Sequence, residues 1–144
     1  MGQIRLGNKP LVTVVPDDTV LQAARAMTER NVGAATVLDG TKVVGVVTER
    51  DMMQKIVAAH HDPNTMRVRE IMSSPAMSIG LDTSVATAAA VMREHHIRHL
   101  VVLDERGTAV GMLAQRYVLY DILDDMERNV GDLIGYIMTD GPGG

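Results

Sequence analysis

The segment TVLQAARAMTERNVGAATVLD at residues 19–39 returns as SVATAAAVMREHHIRHLVVLD at residues 84–104, with eight identities in twenty-one places at an offset of 65. The matches are Val20/Val85, Ala23/Ala88, Ala24/Ala89, Met27/Met92, Glu29/Glu94, Val37/Val102, Leu38/Leu103 and Asp39/Asp104. Beyond them the offset becomes 66, because Asp39-Gly40 is answered by Asp104-Glu105-Arg106-Gly107, and Gly45 then aligns with Gly111. One residue gained in a turn is what a duplication tolerates. A period of this length exceeds the common solenoid units, and two copies are too few for an array. The chain therefore reads as two similar half-domains packed together.

Each copy presents the same order of elements. A short β segment (Val12 to Val15; Ala76 to Ile79) leads into a Thr/Ser/Asp cluster, where Thr19-x-x-Gln22 fits a capping box. Val20, Ala23, Ala24 and Met27 then fall at i, i+3, i+4 and i+7, as do Val85, Ala88, Ala89 and Met92, which predicts amphipathic helices. A β run follows (Ala34 to Leu38; His99 to Leu103), then a turn, then a second run (Lys42 to Val47; Ala109 to Leu113). Asp39-Gly40 suits a two-residue type I′ hairpin. A second helix closes each copy, from about Thr48 to Ala59 and from about Gln115 onward. The expected fold class is α+β, built from two β-α-β-β-α repeats with small mixed sheets flanked by helices, and the leading β segment of either copy could complete the sheet of either.

Composition excludes several chemistries. The 144 residues include no cysteine, so there is no disulfide framework, thiolate zinc site, iron–sulfur cluster or cysteine nucleophile. A net charge of −4 argues against a nucleic-acid partner, which calls for a basic stripe. Apolar runs of only a few residues argue against a membrane span, and MGQIRLGNKP has no signal-peptide core, so a cytoplasmic protein is expected. Phe and Trp are absent, leaving an aliphatic core with 11 methionines.

From Leu119 onward, Ile122, Leu123, Met126, Val130, Leu133, Ile134, Ile137 and Met138 keep three- and four-residue spacing. This predicts one long helix or two helices broken near Gly131, docked on the body of the protein or on a second chain. The final TDGPGG is expected to be disordered. The chain divides into a first repeat at residues 1–67, a second at 68–127, and a terminal helix and tail at 128–144.

Two repeats in this order, with GVVTERD at residues 45–51, REIMSSPAMSI at 69–79 and HIRHLVVLD at 96–104, resemble a tandem pair of cystathionine β-synthase (CBS) domains, a Bateman module. The likeness extends to about Leu123. It implies pseudo-twofold symmetry and sensing of an adenosine-containing ligand between the repeats, with no catalysis and no metal requirement. AMP, ADP, ATP, NAD(H) and S-adenosylmethionine share the adenosine moiety; the resemblance also implies a homodimer or an unidentified regulated partner.

The motif chemistry can be argued from the residues themselves. A carboxylate can accept from two neighbouring ribose hydroxyls, which suits Asp51, and the Thr48 hydroxyl lies beside free N–H groups at a helix start, a place for phosphate. Equally, Thr48 can be an N-cap and Asp51 a first-turn acid favoured by the helix dipole. The second copy has Ala114 and Tyr117 at these positions, and carries Arg98 and His99 where the first has Gly33 and Ala34. By resemblance, one equipped cleft collects Thr48 and Asp51 with Arg98 and His99, and a stripped one collects Ala114, Tyr117, Gly33 and Ala34. The base pocket of the equipped cleft is expected near Leu11, Val12, Val32 and Gly33.

Competing readings have less to stand on. His95, His96 and His99 could suggest a metal, but the helix is expected to end near His96, placing them on different elements. His60 and His61 suit a solvated helix end, and Arg50 and Arg116 read as surface charges or phosphate contacts. No Walker loop, nucleophile elbow or GxGxxG string occurs. The alternative function is a constitutive dimeric interaction scaffold with a vestigial nucleotide site.

Overall fold

The computed structural model describes Ile4 and residues 10–139, with side chains placed as far as residue 130. In the first repeat, β1 (Thr13–Val14) leads into α1 (Val20–Arg30), followed by β2 (Ala34–Asp39), β3 (Lys42–Thr48) and α2 (Glu49–Met52), which continues as one π-helical turn over Met53–Val57. A short helix, α3 (Val68–Ile71), precedes β4 (Ser78–Gly80), α4 (Val85–His95), β5 (His99–Leu103), β6 (Ala109–Ala114) and α5 (Gln115–Thr139). Each repeat has one three-stranded sheet, ordered β1-β2-β3 and β4-β5-β6. The leading strand is parallel to the next, and the hairpin is antiparallel. Each leading strand thus completes its own copy's sheet.

Equivalent residues start and stop the elements. Thr19 and Ser84 cap α1 and α4 by accepting from the N–H groups of Gln22 and Thr87, each at 3.1 Å, and Gln22 completes the expected capping box. Asn31 and His96 end the same helices in the left-handed conformation, with φ of 55° and 53°. A register shift falls between Val37 and Leu38 in one hairpin and between Val102 and Leu103 in the other.

The turn between β2 and β3 differs from expectation. Asp39 pairs with Lys42, so the central residues are Gly40 and Thr41, and only Gly40 has positive φ, at 65°. A type I′ turn needs positive φ at both centres, whereas a glycine-first type II′ turn needs it at one. The register places Asp39 on the strand and so removes it from the turn's centre.

α3 was not anticipated, and it shows how the repeats lock together. Val68 and Ile71 are buried in the cluster formed by Val14, Val20, Met27, Val37 and Val47 of the first repeat, while Ile4 is buried with Val85, Met92, Leu100 and Leu113 of the second. The segment leading into each repeat therefore closes the other repeat's core. Gly45 makes one crossing possible, since Val46 and Ser73 exchange backbone hydrogen bonds and a Cβ on Gly45 would stand 2.8 Å from the Ser73 carbonyl oxygen. A third cluster, containing Ala34, Val46 and Val101 with Met112 and Leu103 against them, joins the two sheets.

Thr36 on β2 is fully buried and its hydroxyl has no hydrogen-bond partner among the described residues. Its counterpart in the second copy is Val101. Removing an unsatisfied hydroxyl at nearly constant shape relieves its desolvation cost and suits a strand. Thr36→Val is expected to stabilise the protein by about 1 kcal/mol, measured as a higher midpoint in urea at unchanged slope; a lower midpoint would show that the hydroxyl is satisfied.

Past the second sheet, α5 is continuous through Gly131, which selects the single long helix from the two expected alternatives. The expectation of disorder at residues 140–144 lies outside the described residues.

Candidate functional site

The two hairpins bring the starts of four elements together. Ala34 pairs with Thr48 and His99 with Ala114, so α2 and α5 begin beside the starts of β2 and β5. The Glu49 N–H donates to the Gly33 carbonyl at 3.0 Å, and the equivalent Gln115 N–H donates to the Arg98 carbonyl at 2.8 Å. Between these junctions lies a cavity of about 330 Å³, within the usual range for a small-molecule site. Its first-repeat wall is Pro10, Val12, Asn31, Val32, Gly33, Ala34 and Glu49. The second repeat supplies Arg98, His99, Met112 and the stretch Ala114 to Tyr117, with Leu119.

The arrangement differs from the expected division into an equipped and a stripped cleft. Ala114, Tyr117, Gly33 and Ala34 line the same cavity as Arg98 and His99. The reason is steric: Gly33 has no side chain, and a Cβ there would lie 3.1 Å from Glu49 Oε1 and 3.5 Å from His99 Nε2. His99 thus reaches across to the first repeat and joins the two sets of residues. Val12, Val32, Gly33, Arg98 and His99 are brought together, whereas Leu11, Thr48 and Asp51 do not line this cavity.

Thr48 and Asp51 are engaged with each other. The Thr48 hydroxyl accepts from the Asp51 N–H at 3.1 Å, while Asp51 Oδ2 accepts from the Thr48 N–H at 2.9 Å and from its hydroxyl at 3.0 Å. Asp51 Oδ1 faces Lys55 Nζ at 3.3 Å, and Lys55 also donates to the Ile71 carbonyl at 2.8 Å. This is a capping box on α2 tied to the crossing segment α3. Ala114 offers no equivalent acceptor at the start of α5.

Charge in the cavity is mixed. Burial holds the His99 imidazole below the ordinary histidine range; Glu49 acts to raise it, and Arg116 and Arg98 act to lower it. The Arg116 guanidinium lies 5.3 Å from the centre of the Tyr117 ring, which in turn meets Tyr120 edge to face at 6.3 Å. Tyr117, expected in the stripped cleft, and Arg116, which the sequence leaves between a surface charge and a phosphate contact, both line this cavity. The histidine alternative is not assembled: α4 ends at His95, His96 is its cap and His99 opens β5. Among the described residues no three His, Asp or Glu side chains gather as a metal site, and no helix is long and apolar enough to cross a membrane.

The CBS domain model matches residues 3–58 and again 68–124. The chain belongs to the CBS domain family. It is 34% identical over 104 residues to the CBS domain-containing protein YhcV of Bacillus subtilis, covering 72% of this chain and 73% of that one. Among solved structures, a CBS-domain protein of Burkholderia ambifaria superposes with a TM-score of 0.75 at 33% identity, covering 81% of this chain and 85% of its own. CBS domain protein PAE2072 of Pyrobaculum aerophilum, complexed with AMP, superposes with a TM-score of 0.72 at 28% identity, covering 82% and 95%. The chain spans 59% and 61% of the lengths of other curated relatives, from Methanopyrus kandleri and Arabidopsis thaliana. The matched residues form a CBS pair, a regulatory module.

Proposed function

We propose that this CBS pair is a non-enzymatic sensor that binds an adenosine-containing ligand in the cavity between its repeats and signals occupancy through self-association. The observation that carries this reading is the cavity itself, walled by both repeats, with Val12 and Val32 on one side and Arg98, His99 and Arg116 on the other. An adenine ring suits the apolar side, and the cations suit phosphate. The AMP complex of the Pyrobaculum relative makes AMP the first ligand to test. In this reading Thr48 and Asp51 act away from the ligand, fixing the turn that presents Gly33 and Glu49 to the cavity.

A ligand gripped by both walls binds best to one relative placement of the repeats, and that differential affinity is what a switch requires. Self-association is supported by matched apolar residues on the two helices that follow the hairpins. Met53 and Val57 after the first, and Leu119 and Leu123 after the second, are exposed at equivalent positions. The engagement of Asp51 in a capping box favours the scaffold alternative, in which the cavity remains empty.

A thermal-shift panel of AMP, ADP, ATP, NAD(H) and S-adenosylmethionine tests the reading. A ligand present at 100 times its dissociation constant adds about 2.7 kcal/mol of stability. A rise with at least one of them is expected, and no rise with any would leave the scaffold.

Binding is also expected to take up a proton. His99 is depressed in the free protein, so it is largely neutral near neutral pH, and a phosphate held beside it favours the imidazolium. Calorimetry of AMP in buffers of differing ionisation enthalpy should show proton uptake that is lost in His99→Gln. In the ligand-free protein the sign is fixed as well: the unfolded chain gains this proton more readily, so the His99 contribution lowers stability as pH falls through the ordinary value of 6.5. Uptake identical in His99→Gln would remove the imidazole from the phosphate contact.

A further inference from the structure

The helix α5 continues to Thr139, well past residue 124, where the second family match ends. It docks on its own repeat through Tyr117, Val118 and Ile122, which pack in the second core. A different row, Leu119, Leu123, Met126 and Val130, is left 49%, 53%, 56% and 54% exposed. The steps along this row are four, three and four residues, and the sequence extends it by three and four to Leu133 and Ile137. That is a 3.5-residue repeat, the period of a left-handed coiled coil.

From this row we infer that α5 pairs with α5 of a second copy of this chain as a parallel two-stranded coiled coil. The side-chain types on the row specify the partner. With Leu123, Val130 and Ile137 at the a positions and Leu119, Met126 and Leu133 at d, two of the three a residues are β-branched and the d residues are unbranched at Cβ, the combination that favours two parallel strands. The flanks agree with pairing between identical copies. Asp121, Asp124, Asp125, Arg128 and Asp132 all fall at the outer b, c and f positions, while the e and g positions hold Tyr120, Ile122, Asn129, Ile134 and Tyr136 with Glu127 as their one charge. From Leu119 to Ile137 no like charges meet across a parallel seam in this register, and Arg116, one heptad before Leu123, lies ahead of its start. Leu119 also lines the cavity, so the seam begins on the wall of the ligand site.

The inference deepens the self-association part of the proposed function, and the experiment separates the two. The chain has no cysteine, so Met126→Cys and Leu133→Cys can be introduced one at a time into the full chain and oxidised. The two positions are one heptad apart, roughly 10 Å along the helix, and a disulfide needs Cα atoms within about 7 Å. In a parallel pair both variants meet their own copies, whereas no antiparallel register lets both do so. Near-complete covalent dimer is expected from each, and light scattering should show a dimer for the wild type that is at least tenfold weaker for Met126→Glu/Val130→Glu. Cross-linking at only one position or neither, or a dimer unchanged by the double substitution, overturns the coiled coil while leaving self-association through another face. A monomeric wild type overturns both. If the double variant fails to fold, the cross-linking pair still decides.

Discussion

Ile71→Ala is expected to cost about 2 to 5 kcal/mol, the range for truncating a fully buried aliphatic side chain. Ile71 is 1% exposed and packs, with Val68, against the first repeat's core, although it lies in the segment that leads into the second repeat. Its carbonyl also holds Lys55, which faces Asp51, so the substitution loosens the support of the α2 capping box. Urea denaturation measures the total loss. Hydrogen exchange should place the increased opening on β1, β2 and β3 more than on β4, β5 and β6. A loss below about 0.5 kcal/mol, the level of an ordinary surface substitution, would mean that α3 does not close that core.

Gly33→Leu is expected to abolish adenine-nucleotide binding while the protein remains folded. The position has no left-handed φ, and the nearest obstacle to a new Cβ is the far end of the Glu49 side chain at 3.1 Å. That side chain can swing aside. The remaining carbons enter the cavity between Val32, Glu49 and His99, where the ligand is proposed to lie. The expected loss in affinity is at least a hundredfold, equivalent to about 2.7 kcal/mol, read by calorimetry with AMP alongside an unchanged far-ultraviolet circular dichroism spectrum. Retained affinity in a folded variant would move the ligand elsewhere.

The contrast between these two positions shows what the sequence made legible. The duplicated pattern of Val20, Ala23, Met27 and Val85, Ala88, Met92 marked both core-facing helices, because a 3.6-residue period survives in local sequence. The caps at Thr19 and Ser84 and the paired strands of both hairpins are legible too, because a capping residue and a short apolar run are local signals, whereas the type of the first turn is not. α3 was not, since four residues are too few to show a period, and its reason for being helical is the distant core that Val68 and Ile71 fill. The exchange of leading segments between cores is invisible to a reading that treats each repeat as its own unit.

At the candidate site, the unequal pairs Gly33/Arg98 and Ala34/His99 point to loops that line the cavity. Thr48 and Asp51 point to a neighbouring turn whose polar atoms are occupied by capping. Glu49 and Met112, which also line the cavity, carry no comparable mark in the sequence. Gly33 leaves room that His99 and its neighbours fill, and local spacing carries no record of that three-dimensional complementarity.

The most direct test of the central claim is calorimetric titration of AMP into the wild-type chain and into Arg98→Ala. Arg98 lines the cavity with its side chain at the surface, so its removal leaves the core intact. Losing one charge-assisted hydrogen bond costs about 1.5 to 3 kcal/mol, roughly ten- to a hundredfold in affinity. The account predicts saturable binding of one AMP per chain by the wild type and a loss of that size in the variant. Absence of AMP binding by the wild type, or equal affinity in both proteins, would contradict it.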